Sequence, residues 1–180
     1  MGSSLVHWAE RRAWQTQKAD EGLRRSNIAW HGQRGMRWHQ LLPKVKSLLQ
    51  SEAPPSWICI HLGGNNLASI PLRALTAMAL QDLKTLSKIA PHTMFIWSEI
   101  LPRVHYRGAN SDAKMEKTRK TLNAAIKKGI LNLNGQCIKH PGIQWDIPSL
   151  FRHDGVHLSN KGNDIFLDNM KSILANSNWA

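Results

Sequence analysis

Asp154 and His157 stand three positions apart in the stretch Asp154-Gly155-Val156-His157, just ahead of an apolar helical pattern. In a turn or a first helical turn, side chains at i and i+3 share one face, so the carboxylate can accept a hydrogen bond from the imidazole. That bond fixes the tautomer and leaves the other ring nitrogen free to take a proton. Such a pair acts on a substrate only when a nucleophile and a set of oxyanion donors are brought to it. Ser4, after Gly2-Ser3, offers a hydroxyl that is a weak nucleophile until a base removes its proton. The backbone N–H groups of Ser4 and Gly35 and the side-chain amide of Asn65, after Gly63-Gly64, offer donors for a tetrahedral oxyanion. No side chain at position 35 would obstruct close backbone approach.

Plainer readings stand beside these. Asn65 and Gly35 are also ordinary turn formers, and Gly2-Ser3-Ser4 has the composition of a terminal linker. His153 and His157, four apart, imitate the spacing of a zinc-protease helix. However, Gly155 weakens a helix, Asp154 is shorter than the glutamate that chemistry uses, and no third ligand is marked. No metal and no cofactor is expected.

The elements that must position these residues alternate. A strand end or turn over Gly2 to Val6 feeds a helix in which Trp8, Ala9, Ala13 and Trp14 are spaced as one face, and a brief strand and a Gly-punctuated loop are expected over 28–38. Leu41 to Leu49 repeat at helical spacing, with Pro43 confined to the first turn. Trp57 to Leu62 is a continuous apolar run, as in a strand buried on both faces. A helix opens at Pro71 and runs to about Ile89. Thr93 to Trp97 is a second buried strand, and a long helix spans about 111–133. The alternation in Ile143 to Ile147 predicts a short strand, and a last helix begins near Ser159. Strands alternating with helices imply an α/β fold with a parallel sheet, whose ligands bind at the carboxyl ends of the strands. Every candidate residue above falls in a loop on that edge.

At 180 residues without an internal repeat, the chain is expected to form a single domain over 1–180. Its 42% apolar and 20% charged residues fit a globular protein and exclude a long membrane-spanning run. Met1 leads into Gly-Ser-Ser rather than a secretory leader, and Cys59 and Cys137 lack metal-ligand or disulfide-framework spacing. A reducing, cytoplasmic setting is expected. The net charge of +12 would attract RNA, an anionic membrane surface or acidic partners. Arg11, Arg12, Arg24, Arg25 and the lysines from Lys114 to Lys128 are the candidate contacts. Arg103 and Arg107, in the loop after the second strand, are candidates for holding an anionic substrate.

Four short blocks resemble the SGNH, or GDSL-type, serine hydrolases. Gly2-Ser3-Ser4-Leu5 is similar to the family's Gly-Asp-Ser-Leu block, Gly35 to its second-block glycine, Gly63-Gly64-Asn65-Asn66 to its Gly-x-Asn-Asp block, and Asp154 to His157 to its Asp-x-x-His block. The resemblance implies a flavodoxin-like three-layer α/β/α sandwich and a catalytic set of Ser4, Asp154 and His157. It implies an oxyanion hole of Ser4, Gly35 and Asn65, and hydrolysis of esters with short, acetyl-like acyl groups. Ser3 and Asn66 stand where the family has aspartates, which removes two carboxylates from the loops around the site. The apolar strand expected ahead of Gly2 is not in the sequence, so the first strand is read as truncated. Small size and basic charge further resemble the esterase domain of first-open-reading-frame proteins in LINE-type retrotransposons, which implies association with nucleic acid.

Overall fold

The computed structural model describes residues 1–16, 28–106 and 108–175. Three strands form its sheet: Trp57–Ile60 (β1), Met94–Ser98 (β2) and Gln136–Ile138 (β3), parallel throughout and ordered β1-β2-β3. Ile58 of β1 lies opposite Phe95 of β2, and Ile96 lies opposite Gln136 of β3. The helices are Ser4–Gln15 (α1), Leu41–Ser51 (α2), Leu72–Ile89 (α3), Asp112–Leu131 (α4) and Asn160–Ala175 (α5).

The continuous apolar runs of β1 and β2 follow from burial on both faces. Successive strand side chains point to opposite sides, so each strand feeds two cores. Ile60, Phe95 and Trp97 pack with Val45 of α2, Leu75, Leu83 and Leu86 of α3, and Leu122 and Ile126 of α4. Cys59, Ile96 and Ile138 pack with Leu5, Ala9 and Ala13 of α1 and with Phe166 and Met170 of α5. The result is the three-layer α/β/α arrangement with a parallel sheet.

Met1 and Gly2 continue the sheet beyond β1. Gly2 makes parallel bridges to His61 on one side and Gly32 on the other. The Gly2 N–H donates to the His31 carbonyl at 3.1 Å, and the Gln33 N–H donates to the Gly2 carbonyl at 2.9 Å. A Cβ at position 2 would lie 2.2 Å from the His61 carbonyl oxygen, so only glycine fits this approach. The chain then turns at Ser3 and enters α1 at Ser4, at the carboxyl end of the sheet.

Several elements differ from the sequence expectation. Residues 28–38 contribute only the Gly32 bridge, not a strand. The alternation over Ile143 to Ile147 is not a strand: the segment is turn and loop, with Trp145 55% and Ile147 38% exposed. The third strand is instead Gln136–Ile138, too short to show a period. On α1, Trp14 is 65% exposed rather than inward. Trp8 is half-buried, with the Arg152 guanidinium 3.9 Å from its ring centre. Among the described residues, no helix is long and apolar enough to cross a membrane.

Candidate active site

Phe151 and Leu158 form an antiparallel bridge that closes the loop carrying Asp154 and His157. Inside it the Arg152 N–H donates to the His157 carbonyl at 2.7 Å, and the Gly155 N–H donates to the Arg152 carbonyl at 2.9 Å. The Val104 N–H, from the loop after β2, donates to the Gly155 carbonyl at 2.9 Å and ties the two loops together. A closed loop of this kind holds its side chains in one arrangement without help from a helix or strand.

In that arrangement the Asp154 carboxylate makes three contacts. Its Oδ1 accepts the backbone N–H groups of Val156 and His157, each at 2.9 Å. Its Oδ2 accepts from His157 Nδ1 at 2.5 Å. Burial pushes the carboxyl group upward, but the hydrogen bonds from the His157 ring and from the two backbone amides outweigh it. Asp154 is thereby held well below the usual carboxylate range and stays ionised. With Nδ1–H committed to Asp154, His157 presents the Nε2 lone pair to Ser4, whose Oγ lies 2.9 Å away. Both ring nitrogens are engaged, so His157 has none left to share a cation with His153.

Ser4 is the first residue of α1, and the first N–H groups of a helix have no partner within it. The partial positive charge at a helix N-terminus therefore lies at Ser4 and favours negative charge there. Ser3 precedes it as a buried residue, 9% exposed, whose carbonyl accepts the His7 N–H at 3.3 Å. Gly2-Ser3-Ser4 is thus built into the sheet and helix, and is not a linker.

The structure brings the other expected donors to the same cavity, about 440 Å³, lined in part by Ser4, Gly35, Asn65 and His157. Gly35 occupies the turn Gln33 to Met36, closed by the Met36 N–H donating to the Gln33 carbonyl at 3.1 Å. Its φ of +74° is the value required of the third residue of a type II turn. Asn65 is oriented by two partners. Its Oδ1 accepts from Arg103 Nη2 at 3.1 Å, and its Nδ2 donates to the Met36 carbonyl at 3.2 Å. A guanidinium only donates, so Arg103 fixes which end of the amide is oxygen. The second hydrogen of Nδ2 remains for a ligand. Gly64 makes this contact possible, because a Cβ there would lie 2.9 Å from Arg103 Nη2.

Asn66 fills the role of a loop anchor without a carboxylate. Fully buried, it accepts the Trp38 N–H through Oδ1 at 3.0 Å. Its carbonyl accepts from the Ser69 and Ile70 N–H groups at 3.0 and 2.9 Å. Its Nδ2 is left without a protein partner.

Three features went unread in the sequence. Arg34, Arg37 and Tyr106 line the cavity. Arg103 was singled out as a candidate substrate contact, but nothing in its spacing signalled its bond to Asn65. His61 and His140, scattered histidines in the sequence, are buried at 3% and 7% exposure on either side of Ser98. Of the charged residues named from the sequence, Arg24, Arg25 and Arg107 lie outside the described residues.

No protein-family model and no curated protein sequence matches the chain. Solved structures do match in fold. A member of the lipolytic G-D-S-L family from Veillonella parvula superposes with a TM-score of 0.78 at 12% identity, covering 98% of this chain and 96% of that one. A GDSL-like lipase from Bacteroides thetaiotaomicron gives 0.75 at 16% identity, covering 97% and 85%. A psychrotrophic esterase from a Pseudoalteromonas species, solved with monoethylphosphonate as inhibitor, gives 0.60 at 18% identity, covering 96% and 88%. The fold is therefore that of the GDSL, or SGNH, hydrolases.

Proposed function

We propose that the protein is a serine ester hydrolase that works through an acyl-enzyme at Ser4. The observation that carries this reading is the continuous chain from Ser4 Oγ to His157 Nε2 at 2.9 Å and from His157 Nδ1 to Asp154 Oδ2 at 2.5 Å. As Ser4 Oγ attacks the ester carbonyl, His157 takes its proton, and ionised Asp154 stabilises the imidazolium that forms. The Ser4 and Gly35 N–H groups and Asn65 Nδ2 bind the oxyanion. His157 then returns the proton to the departing alcohol, and a water activated by the same imidazole releases the acid. The resemblance to GDSL-type esterases favours short acyl groups such as acetyl.

The test is turnover of p-nitrophenyl acetate by the wild type and by Ser4→Ala and His157→Ala. The reading requires both variants to lose turnover and a fluorophosphonate to label Ser4. Equal rates in all three proteins would refute it.

A second reading, compatible with the first, is that the basic surface contacts RNA or an anionic membrane, as the likeness to retrotransposon esterase domains suggests. Its support is the exposed row of Lys114, Lys117, Lys120 and Lys128 on α4. Arg11 is also exposed, whereas Arg12 is bound to Asp164 at 2.7 Å and contributes less free charge. Binding through such a surface weakens steeply as salt rises. RNA or vesicle binding that is absent, or indifferent to salt, removes this reading.

A further inference from the structure

The charge lining the catalytic cavity is one-sided. Arg34, Arg37 and Arg103 all face it, and its single carboxylate, Asp154, is committed to His157 and two backbone amides. None of the three arginines forms an ion pair among the described residues, although Arg12 and Arg119 do. Arg34 and Arg37 are exposed at the rim, while Arg103 is half-buried deeper in. Arg103's side-chain hydrogen bond goes to the neutral Asn65 amide oxygen, its guanidinium stands 5.9 Å from the centre of the Tyr106 ring, and the Asp154 charge acts on it without forming an ion pair. A guanidinium drawn out of water loses solvation that a neutral amide only partly replaces. It keeps N–H donors for a planar or tetrahedral anion, which its fork fits well. A cavity lined on one side by such groups concentrates anions and excludes cations.

We infer that the substrate of this site is an anionic ester, one bearing a carboxylate or phosphate close to the scissile bond, held by Arg34, Arg37 and Arg103. This rests on the ester-hydrolase reading of Ser4 for its chemistry, but its binding test does not depend on turnover. In the inferred complex the anion pairs with the rim guanidiniums and Arg103, and the ester carbonyl lies over Ser4 Oγ. A neutral ester of the same size meets the same oxyanion donors but forfeits the charge-assisted bonds.

The experiment measures binding to Ser4→Ala, which cannot form the acyl-enzyme. Four esters are compared: 4-acetoxybenzoate, 4-acetoxyphenyl phosphate, monophenyl succinate and, as the neutral reference, methyl 4-acetoxybenzoate. The first two carry the anion on the alcohol side as carboxylate or phosphate, and the third carries it on the acyl side. At least one should bind about tenfold or more tighter than the neutral ester, the scale of one charge-assisted hydrogen bond. That preference should shrink at high salt and fall toward unity when Arg34→Gln, Arg37→Gln and Arg103→Gln are added together. Equal binding of all four esters overturns the inference, as does a preference that survives both changes. In the wild type, absent turnover of every ester would count against Ser4 as nucleophile and leave the binding comparison standing.

Discussion

Two serine–histidine clusters sit at the carboxyl edge of the same sheet, and they differ in what surrounds them. At Ser4 the imidazole is backed by a carboxylate and opens on the cavity. At Ser98 the hydroxyl lies between His61 Nδ1 at 2.9 Å and His140 Nε2 at 2.8 Å, with no carboxylate in the chain of bonds. With Asn169 Nδ2 donating to His140 Nδ1 at 3.3 Å, His140 Nε2–H donates to Ser98 Oγ, and the Ser98 O–H donates to His61 Nδ1. Phe166 stacks on His140 and meets His61 edge-on. Burial pushes both imidazoles down to about 3, so they stay neutral. A base must hold the proton it takes, and of these three histidines His157 is the one with a negative partner that makes this possible. On the proposed reading, the same pair of residue types does chemistry in one place and is mortar in the other.

The largest effect expected from this contrast is on acyl transfer. Ser4→Ala should lower ester kcat/KM by roughly a millionfold, the scale of losing a nucleophile whose base remains in place. A fluorophosphonate should modify Ser4 and leave Ser98 untouched, as peptide mapping of the labelled protein would show. Labelling at Ser98 would erase the distinction.

The oxyanion donor comes next. Asn65→Ala should lower kcat by about a hundred- to a thousandfold with little change in KM, since the donor acts on charge that develops in the transition state. Arg103→Gln should reproduce part of that loss, because the amide of Asn65 is then free to flip. A KM effect alone in Asn65→Ala would make the residue a turn former after all.

Acid stability separates the clusters in a third way. His61 and His140 have folded-state values below the unfolded 6.5, so the unfolded chain binds more protons between about 3 and 6.5. Stability should therefore be full above pH 6.5 and fall as the pH drops. The slope reaches at most about 3 kcal/mol per pH unit, the value for two protons. Asp154, also depressed, adds to the loss only below the ordinary carboxylate range. Urea midpoints across this range check the slope, and His140→Leu should halve it.

The sequence was legible where a physical constraint spanned several residues. Trp57 to Leu62 and Thr93 to Trp97 read correctly as buried strands because both faces must be apolar, and α2 to α5 were readable from their periods. Asp154 and His157 were legible as a pair from spacing alone, and Gly35 and Asn65 from turn chemistry set in family order. The missed β3 has three residues, fewer than any pattern needs, and the Ile143 to Ile147 alternation falls in turn and loop with Trp145 and Ile147 exposed, so its apolar positions do not mark a buried face. The Ser98 cluster was invisible because its members are 37 and 42 residues apart and acquire meaning only when the sheet aligns them. The same holds for Arg103 and Asn65, 38 residues apart.

The smallest predicted effect is the one that tests whether Ser98 is only mortar. Ser98→Ala removes the hydroxyl that both histidines use, leaving His61 Nδ1 and His140 Nε2–H buried without a partner. Each such group costs about 1–3 kcal/mol, less whatever the neighbours recover by shifting. For two such groups in a chain of this length, at about 2–4 °C per kcal/mol, that corresponds to a fall of roughly 5–20 °C in Tm before any such recovery. Ester turnover should stay within a few-fold of the wild type, because the Ser4, His157 and Asp154 contacts come from α1 and the 151–158 loop rather than from Ser98. The reverse profile is expected of Ser4→Ala, whose side chain makes its one side-chain hydrogen bond to His157 at the cavity wall. A Ser98→Ala protein of unchanged Tm but lost turnover would mean that the buried cluster holds the Gly2 to Ser4 turn in place through His61, which Gly2 touches directly.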